Sequence, residues 1–245
     1  VFDEGEFHMF IQTEFLGLNG RIEYLKSKAG DVFDFVTTAI QPLQDTLTPE
    51  ELSIMQERIP EAGLYDSHPA MINGQKYLLY SGASEVGRPD IYLVKSSSNK
   101  WEGPWQRLRP SRTKDAILMH DEVIHHNQRE SREYEWGLEG AQLVQLPSGR
   151  IILIAVCFLP EGERGTRQRV FLAVARNILG PYQTLGHILL PEKAWESGEN
   201  GHATGILNDG SLVIFYQGRP VNGNWRYGMA SIKIDQLEKY IHSFL

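Results

Sequence analysis

Short runs of alternating apolar and polar residues recur along this 245-residue chain, each opened by a turn that carries glycine. Period-two alternation of this kind predicts half-buried β-strands. Four segments share the design: Glu4–Ile11 (EGEFHMFI), Asn73–Tyr80 (NGQKYLLY), Ser148–Ile154 (SGRIILI) and Asp209–Tyr216 (DGSLVIFY). Asn-Gly and Asp-Gly are strong hairpin signals, because a tight turn between twisted strands needs positive φ. The turn glycines fall at 5, 74, 149 and 210, a spacing of roughly 60–75 residues that fits one repeated supersecondary unit.

A second echo follows each turn. Arg21–Lys28, Asp90–Ser97, Arg169–Arg176 and Arg226–Ile232 all read as a third strand. Two of them run on into matching phrases, Gly103-Pro104-Trp105 and Gly180-Pro181-Tyr182, where Gly-Pro ends one strand and the aromatic begins another. Each unit then holds about four strands, the size of a propeller blade. The expected fold is all-β, a five-bladed β-propeller with four units visible, forming a single domain over residues 1–245. Thr48-Pro49-Glu50-Glu51 combines an N-cap, a proline at the first helical position and a glutamate at the third. It predicts a short helical insertion at about 48–58 between the first two units.

Composition narrows the function classes. A net charge of −7 argues against a general binder of nucleic acid or of anionic membranes. No apolar run reaches membrane-spanning length, and no signal-peptide pattern opens the chain, so the compartment is left open. The single cysteine, Cys157, lies in an apolar run and reads as a small core residue. There is no Gly-rich loop between a strand and a helix, so dinucleotide or phosphoryl-transfer chemistry has no support. Repeats longer than roughly 40–45 residues, without Trp-Asp ends, rank a protein-interaction propeller last.

In a propeller the strand before each glycine turn lines the central axis, so equivalent residues on successive blades converge. Those strands contain Asp66, Glu139 and His202, which lie eight, ten and eight positions before their turn glycines. Two carboxylic acids in one cleft suit glycosidic-bond hydrolysis, in which one protonates the leaving oxygen and an ionised group activates water or attacks the sugar. Tyr65, Trp136 and Trp195 are aromatics placed to stack on sugar rings. Taken singly, Asp66 reads as a turn or cap residue and Glu139 as a solvated strand-end residue; their shared register favours the functional reading.

These phrases resemble the five-bladed β-propeller glycosidases of glycoside hydrolase family 43 and related clans. The resemblance rests on Tyr65–Tyr80, on Glu139-Gly140-Ala141 where the family has Glu-Gly-Pro, on Gly201-His202, and on Tyr216-Gln217-Gly218-Arg219 where the family has Tyr-His-x-Arg. It implies an inverting glycosidase acting on a poly- or oligosaccharide. Glu139 would be the general acid, with Asp66 orienting and tuning it, and Arg219 would hold a substrate hydroxyl or carboxylate. His68, Trp136 and His202 complete the candidate substrate contacts. The family's general base leads the innermost strand of the first blade, a position that falls before Val1. The chain is therefore expected to be truncated at its N-terminus. No cofactor is required; a structural calcium near His202 is left as an open alternative, against which stands calcium's preference for oxygen ligands. The cluster His120, Asp121, His125 and His126 lacks the spacing of a helical metal site and reads as a solvated loop. The competing function is a carbohydrate-binding propeller without turnover. Sugar, linkage and oligomeric state are not legible.

Overall fold

A computed structural model describes residues 1–13, 20–42, 63–83, 89–108, 116–118, 137–159, 167–189 and 193–243. The predicted helix at 48–58, Trp136 and the cluster His120–His126 lie outside the described residues. The described residues group into two compact units, Val1–Ala116 and Ile117–Leu245.

The first unit holds two four-stranded antiparallel meanders. One is β1 (Phe2–Asp3), β2 (Glu6–Thr13), β3 (Arg21–Ser27) and β4 (Asp34–Ile40). The other is β5 (Gly63–Ile72), β6 (Gln75–Ala83), β7 (Asp90–Ser96) and β8 (Trp105–Arg107). Strands β2 and β3 pack on β5 around Phe10, Ile22, Tyr24, Leu64, Leu78, Tyr80 and Trp101. One polar contact staples the two sheets. Asp3 accepts hydrogen bonds from Trp101 Nε1 at 2.8 Å and from Lys76 Nζ at 2.7 Å. The Lys76 bond holds the Asp3 carboxyl below its usual range.

The second unit repeats the plan with β9 (Leu138–Gln145), β10 (Ile151–Leu159), β11 (Arg167–Ala175) and β12 (Gln183–His187), then β13 (Glu199–Asn208), β14 (Ser211–Arg219) and β15 (Arg226–Lys233). Strand β13 packs against β9, β10 and β11. Helix α1 (Ile234–His242) follows β15 and buries Leu237 and Ile241 in the core that β10, β11 and β14 supply. The sequence reading did not anticipate this helix, although Ile234, Leu237 and Ile241 have helical spacing.

The four glycine turns, the third strands and the strands after Gly-Pro all form as the repeat predicts. Cys157 is a buried free thiol, as expected. Three turns place two consecutive residues at positive φ, in the pairs Glu4-Gly5, Asn73-Gly74 and Asp209-Gly210; this is the type I′ geometry that matches strand twist. The third is longer. Leu146 to Arg150 separates the last paired residues, Gln145 and Ile151, and only Gly149 is at positive φ.

Candidate active site

The first strand of each later sheet carries the same irregularity. Two residues on that strand face one on its neighbour: Asp66 and Ser67 oppose Tyr80, Gly140 and Ala141 oppose Ala155, and His202 and Ala203 oppose Tyr216. The first residue of each pair has positive φ, +50° at Asp66, +60° at Gly140 and +46° at His202. A bulge with a left-handed residue bends the strand and re-aims its side chains. Asp and His tolerate that conformation better than branched residues, though less well than glycine. The bulges refine the sequence register. Asp66 and His202 are structurally equivalent, whereas Glu139 sits one residue earlier, because the longer 146–150 turn absorbs part of the offset.

Asp66 and His68 belong to the first unit; Glu139, His202 and Arg219 belong to the second. His68 follows the bulge and pairs with Leu79 on β6. Its accessible surface is intermediate, yet loss of solvent around the ring pulls its pKa down to about 4, so it is neutral at pH 7.

The second unit links its candidate residues through side chains the sequence reading missed. Gln168, on β11, donates from Nε2 to Glu139 Oε1 at 3.2 Å. The backbone N–H of Gln168 donates to Glu199 Oε2 at 3.1 Å. Glu199 is buried, and its other oxygen accepts from Arg219 Nε at 2.6 Å and also from the Arg219 terminal amine. Glu199 and Arg219 are directly opposed on β13 and β14, where opposite charges stabilise a sheet. The Arg219 guanidinium lies 4.9 Å from the Trp225 ring centre, within cation–π range. His202 meets that ring edge-on at 6.0 Å. A contiguous chain therefore runs Glu139, Gln168, Glu199, Arg219, Trp225, His202.

Trp195 is half-buried: its ring stacks on Tyr216 at 5.8 Å and packs so close to Gly218 and Gly228 that a Cβ on either would collide with it. Trp225, at 37% exposure, is the accessible aromatic beside Arg219 and His202. Arg219 is already neutralised by Glu199, so a substrate carboxylate would compete with an existing ion pair. Among the described residues no group of three or more His, Cys, Asp or Glu side chains is arranged to hold a metal ion. No described helix is long and apolar enough to cross a membrane.

Signals for the missed residues were present. Glu199 lies two positions before Gly201 on the same strand, and Gln168 sits between two arginines at the start of a third strand. That strand begins at Arg167, two residues earlier than read from sequence.

No family model matches the chain, and no curated protein does. Solved structures do. A thermostable family-43 glycoside hydrolase aligns with TM-score 0.63 and 12% identity, over 94% of this chain and 66% of that one. A family 117 glycoside hydrolase from Zobellia galactanivorans gives 0.65 and 15%, over 95% and 64%. An exo-1,5-α-L-arabinanase from a bovine ruminal metagenomic library gives 0.64 and 11%, over 94% and 71%. The chain thus spans about two thirds of the length of these three solved structures. Its repeated four-stranded meanders and these alignments together show the fold: this chain is an all-β protein with the β-propeller fold of these glycosidases.

Proposed function

We propose that this chain carries the acid side of an inverting glycosidase site acting on a poly- or oligosaccharide. The observation that carries the reading is the placement of Glu139: half-buried on the first strand of its sheet, beside a left-handed bulge, and hydrogen-bonded by the Gln168 amide. Such a carboxyl can deliver a proton to a glycosidic oxygen while its geometry is held by neighbours. Trp225, Arg219 and His202 offer a ring face and hydrogen-bond donors for sugar hydroxyls. Asp66 has the bulge position that His202 has in the second unit. His68, neutral at pH 7, contributes a sugar contact. Glu199 is not the base, since Arg219 and the Gln168 N–H occupy its oxygens.

The test is a screen of the full protein against aryl glycosides and neutral polysaccharides, with the anomeric configuration of the product followed by NMR. On polysaccharides and unactivated glycosides Glu139→Gln is expected to lower turnover about 10²–10⁴-fold while calorimetry still detects sugar binding. Unchanged turnover of the unactivated substrates in that variant overturns the acid assignment. Sugar binding by the unaltered protein without any turnover favours the non-catalytic binding propeller.

A further inference from the structure

We propose that Gln168 is a positioning residue that keeps Glu139 hydrogen-bonded in both of its protonation states; this rests on the reading of Glu139 as the acid. A general acid starts each cycle protonated and ends it ionised. An ionised carboxylate is a pure acceptor, whereas a protonated one must also place its O–H. A primary amide serves both: its NH₂ donates to the carboxylate, and its carbonyl accepts from the acid after a half-turn about the last side-chain torsion.

Three features fit Gln168 to that task. Its NH₂ already donates to Glu139 Oε1 at 3.2 Å. Its carbonyl oxygen is buried without a hydrogen-bond partner, so an acceptor stands idle next to a group that gains a proton. Buried polar atoms are rarely left unpaired, and an exception asks for a reason. The third is Gly201. A Cβ built there would lie 2.1 Å from Gln168 Oε1, and Gly201 is not at positive φ. Glycine at this position makes room for the amide and is not required by the backbone. The backbone of Gln168 is meanwhile pinned, its N–H to Glu199 at 3.1 Å and its C=O to Arg169 at 2.8 Å. The side chain can turn while its anchor stays fixed.

The proton balance is simple. Glu139 gives its proton to the leaving glycosidic oxygen as the C–O bond breaks and a water oxygen bonds to the anomeric carbon, the water's proton passing to a general base; the carboxylate left behind accepts from the Gln168 NH₂. Reprotonation from water reverses the amide orientation.

The direct test is a ¹³C NMR titration of the Glu139 carboxyl in the full protein, with Gln168→Glu, Gln168→Leu and unaltered protein compared. A second carboxylate at 168 is expected to raise the Glu139 pKa by at least about one unit. Gln168→Leu is expected to lower kcat at least about tenfold with KM nearly unchanged. Thermal melts show whether each variant folds; Gln168→Met replaces the leucine variant and Gln168→Asp the glutamate variant if either does not. A Glu139 titration within about 0.3 units of the unaltered protein in the glutamate variant overturns the proposal, because the charge change must be felt across a hydrogen bond. Undiminished turnover of unactivated glycosides by Glu139→Gln sinks the acid reading instead, while the carboxyl titration still decides whether Gln168 is coupled to Glu139.

Discussion

Gln142→Leu isolates the seam between two sheets of the second unit. Gln142 lies on β9, and its amide acts toward β13 as a one-residue strand. Its Nε2 donates to Gly205 O at 2.8 Å, while its Oε1 accepts from Gly205 N at 2.6 Å and from Thr204 Oγ1 at 2.8 Å. β9 and β13 are first strands of separate sheets, so these bonds cap edge groups that no ladder partner satisfies. Leucine keeps the volume and removes all three bonds. Each is worth about 1 kcal/mol, and the buried Gly205 N–H and C=O left behind add about 1 kcal/mol or more apiece. The expected loss is therefore about 3–5 kcal/mol, or roughly 10 °C in Tm at this chain size. Urea denaturation followed by tryptophan fluorescence and by far-UV circular dichroism measures it. Thr204→Val, which removes one of the three bonds, should cost about 1 kcal/mol. A Gln142→Leu variant within about 1 kcal/mol of the unaltered protein, below the cost of orphaning even one buried group, would show that these three bonds do not hold the seam.

Other consequences can be checked alongside it. Gly201→Ala drives a methyl into Gln168 Oε1 and should lower kcat about as much as Gln168→Leu with a smaller loss of stability; normal turnover would show that the amide has room to spare. The folded-state pKa of His68 is depressed from 6.5 to about 4, so the unfolded chain binds more protons between those values. Stability should fall as pH drops from 6.5 to about 4, and a His68→Asn variant should show a shallower fall over that window in pH-dependent urea melts. Lys76→Met strips the ion pair from Asp3 and should reduce stability near neutral pH. That difference should shrink in acid as Asp3 protonates in the unaltered protein.

How much was legible follows from the distance over which each signal acts. Asn73-Gly74 and Asp209-Gly210 announce their turns because positive φ is a local demand. Gly103-Pro104-Trp105 and Gly180-Pro181-Tyr182 mark the outer strands for the same reason: each glycine has φ above +80°, and a Cβ there would press on the aromatic two residues on. Glu139 becomes a candidate through a repeat. Gln168 and Glu199 do not, because their contacts skip a strand within one sheet (Glu139 to Gln168) or cross to the next (Gln168 to Glu199), between residues about 30 positions apart. A one-residue slip in the register of Glu139 came from counting to the glycine, which cannot tell a two-residue turn from a five-residue one. Trp195 and Trp225 look alike in sequence. Only packing shows that Trp195 lies against Tyr216 while Trp225 faces the Arg219 side chain.

In the proposed site Glu139 donates a proton to the leaving group, and the dependence of kcat/KM on leaving-group pKa, measured for the full protein and for Glu139→Gln with a series of aryl glycosides, reads that step. An acid matters only when the departing oxygen is basic, so near-normal rates are expected for the variant on dinitrophenyl glycosides. On unactivated glycosides a loss of about 10²–10⁴-fold is expected, the contribution of a general acid. A variant slowed equally across the series, or not slowed at all, would contradict that role.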